Sequence, residues 1–398
     1  MTDLIRIGAA FALIVFLLRF RWNFGLVMLS AALFLGILYH IGVREQALVV
    51  LRSSIDVVTI NLVTGLLLIM VLENIIRKRG VLKRMMESVV NTARDRRIAM
   101  AILPAVIGLL PSAGGAAFSA PMVHEAAADV AMTAERKAFV NYWFRHIWEY
   151  LSPLYPGVVL AAAVTGISMN RFILSQLPLS LAVVAVGIFL GFPGLQGGWV
   201  AGTRSSKDIR TLAITLLPIL VPMVLVIVFK LPLAIAMIVT VVALFLYYRY
   251  GLSELWTTLR ESVSISVMLM VMGIMVFKGM LEASGAIQAL PMFFQQSGLP
   301  TAVVLFALPF IVGLLTGLTV GFVGATFPII MAMLGPNPDP GAITFAFASG
   351  FAGVMLSPTH LCLLLTLRYF KADMAQTYRM MYVPIVLVFL VGLVRLWV

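Results

Sequence analysis

Eleven apolar runs, the first at Ile7 to Leu18 and the last at Val383 to Val394, divide this 398-residue chain into segments joined by short, charge-bearing loops. A soluble globule needs polar surface to cover such runs, yet 62% of the residues are hydrophobic and only 11% are charged. The chain therefore reads as an all-α polytopic membrane protein. Several runs, such as Val158 to Val164, are too short for a full span. The first run follows Asp3 and Arg6 and ends in Arg19-Phe20-Arg21 without a small-residue cleavage site, so it is expected to be a true span. The net charge of +12 is scattered among loops, which points to positive-inside topology and away from a nucleic-acid partner. A single cysteine, Cys362, excludes an intrachain disulfide framework and a multi-cysteine metal site. It reads as a small apolar residue of a helix.

The chain also repeats itself, as transporters built from two weakly similar halves do. Ile69-Met70-Val71 with Gly80 recurs as Ile274-Met275-Val276 with Gly285, and Leu103-Pro104 recurs as Leu308-Pro309. Gly108-Leu109-Leu110 recurs as Gly313-Leu314-Leu315, and Leu151-Ser152-Pro153 as Leu356-Ser357-Pro358. All four pairs share one offset of 205 positions (308 minus 103, for example), which chance does not readily produce. Gly42 and Glu45 match Gly251 and Glu254 at an offset of 209, a four-residue difference in one loop. The expected organisation is a first copy at 1–195, a cytoplasmic linker at 196–208 and a second copy at 209–398.

The basic residues test whether the copies are parallel or inverted. Suppose each copy has about five transmembrane helices and one re-entrant hairpin, so that the second copy is inverted. With the N- and C-termini outside, twenty of the 28 Lys and Arg residues fall inside and six outside, while Arg145 and Lys278 lie at membrane depth. That asymmetry favours the inverted arrangement. The expected hairpins are 98–130 and 300–335, and the broken helices that follow are 138–167 and 343–367. Basic residues flank the first hairpin at Arg94 to Arg97 and Arg136-Lys137, but none flanks the second. The two hairpins should enter from opposite faces.

Irregular backbone survives at bilayer depth only where protein buries it or a polar cavity wets it. Four such places occur: Pro111-Ser112-Ala113-Gly114-Gly115, its counterpart Thr316-Gly317-Leu318-Thr319, and the breaks at Ser152-Pro153 and Ser357-Pro358. Proline frees a helix carbonyl, and glycine admits a close neighbour. Such breaks offer carbonyls and hydroxyls to Na⁺ and half-helix N-termini to an anion. A single motif of this kind is more simply a kink; two symmetric pairs point to a site.

Ionisable residues at depth sharpen this. Arg145 and Glu149 are spaced i, i+4 before the Ser152-Pro153 break and read either as an anion contact and a proton carrier or as an internal ion pair. The matching residues of the second copy, Gly350 and Val354, are uncharged, so the cluster breaks the symmetry. His146 and His360 are further substrate or proton ligands in this reading, beside the alternative of histidines satisfied within the bundle. Glu73-Asn74 and Lys278 suit snorkelling or inter-span pairing. No HExxH, phosphate loop or Ser-His-Asp spacing occurs, so an enzyme is not expected.

Two inverted copies, each with a Gly/Ser/Thr/Pro-rich tip and a helix broken at Ser-Pro, resemble the ion-transporter superfamily. That group contains sodium-coupled di- and tricarboxylate symporters, the large membrane subunits of TRAP transporters, and gluconate and citrate permeases. The stretches GLLPSAGGAAFSAP, YLSPLYPG and MLSPTHL are most similar to a prokaryotic branch described only as integral membrane proteins of unknown function. The resemblance implies an inner-membrane homodimer, elevator-like movement, and a cation site between each tip and the neighbouring break. One site would use Ser112 to Gly115 with Ser152 and Pro153; the other would use Thr316, Thr319, Ser357 and Pro358. Substrate would lie between the tips, near Ser112, Gly114, Gly115, Thr316 and Gly317, with Na⁺ the only metal implied; the reading of the residues adds Arg145, His146 and His360 to the substrate set and Glu149 as a candidate proton carrier. The tips depart from the Ser-Asn-Thr signature of the carboxylate symporters, so substrate and stoichiometry do not transfer. The resulting expectation is a Na⁺- or H⁺-coupled secondary transporter of a small organic anion. The alternatives are a cation/proton antiporter without organic substrate and, from another class, a membrane scaffold or membrane-embedded enzyme.

Overall fold

The computed structural model describes residues 2–20, 22–93, 95–111, 115–128, 130–192, 206–285, 300–335 and 337–397. They form nineteen helices and no strand. The first half contributes α1 (Thr2–Arg19), α2 (Phe24–Leu38), α3 (Val43–Ile55), α4 (Val57–Lys78), α5 (Val81–Thr92), α6 (Arg96–Gly108), α7 (Gly115–Ala126), α8 (Ala134–Arg145), α9 (Pro156–Thr165) and α10 (Met169–Gly191). The second contributes α11 (Ser206–Ile227), α12 (Leu233–Tyr247), α13 (Leu252–Ser262), α14 (Ile265–Ala283), α15 (Thr301–Thr316), α16 (Thr319–Leu334), α17 (Pro340–Met355), α18 (Leu361–Phe370) and α19 (Met374–Arg395). Five of these are long and apolar enough to cross a membrane, at Val57–Lys78, Met169–Gly191, Lys207–Ile227, Ile265–Ala283 and Met374–Arg395. Large apolar side chains such as Phe189, Leu246 and Trp397 are exposed on the outside, as a multi-pass membrane protein requires.

Local chemistry sets the helix ends. The side chains of Asn23, Asp56, Thr133, Ser264, Asp339 and Asp373 each accept an N–H of the first turn that follows them. Pro340 and Pro156 sit at the first helical position of α17 and α9, where a missing N–H costs nothing.

The two halves use the same backbone devices in register. Left-handed residues pair as Gly80 with Gly285 and Gly166 with Lys371, each 205 apart, and His40 with Arg249, 209 apart. Two of the six are basic and one is His, so the position in the turn, and not the residue type, is what recurs. Pro104 sits inside α6 where Pro309 sits inside α15, each removing one helix hydrogen bond. Packing is reciprocal: α4 lies on α12 as α14 lies on α2, and α9 lies on α16 as α18 lies on α7. Exchange of this kind is what a two-fold relation between halves demands. At two equivalent tight crossings, a Cβ on Gly108 would strike the carbonyl of Arg145, and one on Gly313 would strike the carbonyl of Gly350. These small residues let α6 meet α8, and α15 meet α17, backbone to backbone. Helices α8, α9, α16 and α17 are buried along most of their length and hold the centre of the molecule.

Candidate functional site

Helix α8 begins under the Thr133 cap and stops at Arg145, seven residues before the Ser-Pro pair. Residues 146–155 then run through successive tight turns, with Glu149 N–H on the His146 carbonyl and Ser152 N–H on the Trp148 carbonyl. Tyr155 is extended because Pro156 follows it, and α9 starts there. The i, i+4 spacing of Arg145 and Glu149 is therefore not a helical spacing: Arg145 is the last residue of α8, and Glu149 lies in the irregular stretch beyond it.

The second break is shorter, spanning Leu356 to His360 between α17 and α18. Both breaks contain the same turn. Ser152 Oγ accepts the N–H of Leu154 at 3.3 Å, and Ser357 Oγ accepts the N–H of Thr359 at 3.2 Å. A serine hydroxyl thus replaces a missing helical partner at equivalent places in each half.

The two breaks meet at one buried cluster. His146 Nε2 lies 3.1 Å from His360 Nε2, and 3.7 Å from Glu149 Oε1. Thr319 Oγ1, at the start of α16, donates to Glu149 Oε2 at 2.5 Å. Arg145 Nε donates to Cys362 Sγ at 3.5 Å. Arg145, His146, Glu149 and His360 are each at most 8% exposed, so every charge here is largely out of water and depends on its partners. Tyr142 packs edge-on against both imidazoles, with ring centroids 4.6 and 5.4 Å away, and its hydroxyl donates to the Met355 carbonyl. His146 also lines a cavity of about 20 Å³, room for one water.

The tip of the second helix pair reaches this cluster. Gly317, left-handed at φ 62°, closes α15 and places its carbonyl 2.7 Å from His360 Nδ1. A Cβ at Gly317 would lie 2.9 Å from the His360 nitrogen and 3.0 Å from Ser357 Oγ, so only glycine fits comfortably. The methyl of Thr319 sits where Gly157 of α9 leaves room. Thr316 turns its hydroxyl back onto the Val312 carbonyl at 2.7 Å. At the other tip, Gly115 opens α7 directly against the Arg145 guanidinium, where a Cβ would overlap it. Ser112 and Gly114 lie outside the described residues.

The structure thus brings Gly115, Arg145, His146, Glu149, Gly317, Thr319 and His360 into one connected region. Ser152 and Pro153 are buried behind it, whereas Pro358 is exposed and Ser357 bonds Thr359 Oγ1 at 2.9 Å. Thr319, grouped with Ser357 on sequence grounds, is engaged instead by Glu149 of the opposite half. Asn74 pairs across the halves with Ser262 Oγ at 3.1 Å, while Lys278 lies 4.0 Å from Glu282.

Three contributors were not visible as such in the sequence. Cys362 enters the cluster from the first turn of α18; its place two residues after His360 was the available signal. Tyr155 donates to the Gly108 carbonyl and ties α9 to the end of α6. Asn141 donates to Ala116 O at 3.2 Å and Thr366 Oγ1 at 2.9 Å, joining α8 to α7 and α18.

No curated protein matches the chain by sequence. Among solved structures, the fold is similar to that of the YdaH transporter of Alcanivorax borkumensis, with a TM-score of 0.62 at 12% identity over 96% of this chain and 97% of that one. A family model covers residues 5–398, nearly the whole length, and the chain therefore belongs to the family described as protein of unknown function DUF401.

Proposed function

We propose that the protein is a proton-coupled secondary transporter of a small organic anion, with a carboxylate the expected substrate class. One observation carries this reading: groups that move protons and a group that binds anions converge where two broken helices from different halves meet. Thr319, Glu149, His146 and His360 lie one after another along a buried path, with successive contacts of 2.5, 3.7 and 3.1 Å, and Arg145 adjoins it. Each member can accept or pass a proton except Arg145, which stays charged and favours a carboxylate.

The alternative of Na⁺ coupling draws less support from this conformation. The hydroxyls of Thr316 and Ser357, assigned to a cation on sequence grounds, are engaged with the Val312 carbonyl and the Thr359 hydroxyl. The fold shared with the YdaH transporter supports transport as the general activity. The matched helix order, the reciprocal packing and the positive-inside count support two inverted halves with re-entrant helix pairs α6–α7 and α15–α16. Membership of an elevator-type, homodimeric branch of the ion-transporter superfamily, set in the inner membrane with both termini outside, completes the proposal.

Reconstitution in liposomes with a panel of carboxylates tests it. Uptake should follow an imposed pH gradient and be indifferent to a Na⁺ gradient. Accumulation of no carboxylate under either gradient would overturn the proposal. Proton release on adding Na⁺ or K⁺, without any organic anion, would instead favour a cation/proton antiporter.

A further inference from the structure

The two histidines at the centre pose a problem of their own. His146 Nδ1 lies 2.6 Å from the Tyr142 carbonyl, and His360 Nδ1 lies 2.7 Å from the Gly317 carbonyl. A carbonyl oxygen only accepts, so each ring must carry its hydrogen on Nδ1 to make these bonds. Both Nε2 atoms are then left with lone pairs, and they face each other across 3.1 Å. Two lone pairs so placed, away from water, repel unless a positive charge, a proton or a metal ion, lies between them. A carbonyl holding the far ring nitrogen is also how proteins orient histidines that ligate metals.

A third donor completes the arrangement. The ligand atoms of His146, His360 and Cys362 all lie within 4.8 Å of one another. Arg145 Nε donates to Cys362 Sγ, and a neighbouring guanidinium favours the thiolate, the form that binds metal. With Zn–N near 2.0–2.1 Å and Zn–S near 2.3 Å, a tetrahedral ion would hold its donors roughly 3.3–3.6 Å apart, a shift of about an ångström from the present spacing. Glu149 Oε1, 3.7 Å from His146 Nε2, is a candidate fourth donor.

We propose that His146, His360 and Cys362 form a site for a divalent transition-metal ion of the Zn²⁺ class, held between the broken helices of the two halves. The donor set of two imidazoles and one thiolate selects such an ion over Na⁺, Mg²⁺ or Ca²⁺, which prefer oxygen. The ion takes Cys362 as the thiolate, so any proton on the thiol leaves on binding, and the neutral imidazoles are unchanged. Because His146 follows the end of α8 and the other two lie at the start of α18, the ion would tie the broken helix of one half to that of the other. The site stands independently of the transport reading, since its geometry is the same whatever the protein carries.

Cys362 is the chain's one cysteine and is half-buried, which makes the test direct. The full-length wild-type protein in detergent would be titrated with Co²⁺, then with Zn²⁺ in competition, and separately labelled with a maleimide in the presence and absence of Zn²⁺. We expect one Co²⁺ per chain with a thiolate-to-metal charge-transfer band, displacement by Zn²⁺, and protection of Cys362 from the maleimide. Cys362→Ser should lose the band. His360→Gln should weaken Zn²⁺ binding by more than about a hundredfold, beyond the roughly 10–100-fold cost of losing an outer hydrogen-bond partner. Saturable binding without a charge-transfer band, no saturable binding, or a labelling rate unchanged by Zn²⁺ would each overturn the site. The labelling arm uses only wild-type protein, so it holds even if a variant fails to fold.

Discussion

The two helix breaks of this protein share a backbone and differ in nearly everything else. At each, a helix ends, a serine hydroxyl accepts the N–H two residues on, and a glycine from an earlier helix presses on the helix backbone just upstream. Yet the first break carries Arg145, His146, Trp148 and Glu149 where the second carries Gly350, Phe351, Gly353 and Val354. Trp148 Nε1 donates to the Ala105 carbonyl at 2.7 Å; at the matching place a Cβ on Gly353 would strike the Phe310 carbonyl. The second break answers with His360 and Cys362, placed after the turn instead of before it. Symmetry supplies two openings in the backbone, and asymmetry fills them with complementary groups. A small substrate offers no two-fold symmetry of its own, so a one-sided set of charges suits it.

That division between shared backbone and unshared chemistry can be broken at several points. The largest effect is expected at Arg145→Ala, which should weaken anion affinity by about tenfold to a hundredfold, the loss of a charge-assisted hydrogen bond of about 1.5–3 kcal/mol. At the uncharged break, Val354→Ala, the positional counterpart of Glu149, should lower stability by on the order of 2 kcal/mol through a core cavity and leave affinity unchanged. Binding isotherms and thermal unfolding on the same preparations separate the two; a matching affinity loss in Val354→Ala would erase the proposed asymmetry.

Next come Gly108→Ala and Gly313→Ala, each placing a methyl on a facing carbonyl. Both should destabilise by roughly 1–3 kcal/mol or more, and by similar amounts, because the crossings are equivalent. A large effect at one and none at the other, by thermal unfolding, would show that only one crossing is tight.

Smaller still are Ser152→Ala and Ser357→Ala, each removing a turn hydrogen bond of about 0.5–1.5 kcal/mol. Ser357 also bonds Thr359 Oγ1, so its loss should be the greater of the two. Both variants should keep normal expression and reduced transport. Wild-type transport by both would show that the two serine turns do not matter to the transport movement.

The smallest effect lies at the mouth of α8. Glu135 is held below the usual carboxylate range by backbone N–H groups, its own at the start of the helix and that of Asp373, which approaches Oε1 at 3.3 Å. A depressed folded-state value means that its contribution is complete at neutral pH and fades as pH falls through that value. Glu135→Gln should therefore be slightly less stable than wild type at neutral pH and converge with it in acid, as read by unfolding across pH.

Much of the fold was legible in the sequence because it rests on local signals. The 205-residue offset found in short matching stretches reappears in the left-handed residues Gly80 and Gly285, in the prolines within α6 and α15, and in the two serine turns. The site was legible only in part. That Arg145, His146, Glu149 and His360 belong near the breaks followed from spacing, but which of them touch did not. The end of α8 at Arg145 has no Gly or Pro beside it, since Pro153 lies eight positions later, so the break looked shorter than it is. The contacts of Thr319 with Glu149 and of His146 with His360 join residues 170 and 214 positions apart. Such contacts depend on how one half is docked on the other, and one sequence without that docking cannot express them. Cys362 was read as a packing residue for the same reason: alone on a helix, a cysteine carries no sign of the arginine and histidines that surround it.

The central claim is that Glu149 couples proton movement to anion movement at the charged break. Proteoliposomes containing wild type and Glu149→Gln, assayed for pH-driven accumulation and for exchange of internal against external anion, test it most directly. The account predicts that Glu149→Gln keeps exchange, because the amide preserves the contact with Thr319, and loses accumulation driven by the pH gradient. Accumulation by Glu149→Gln equal to wild type under the same gradient would contradict it.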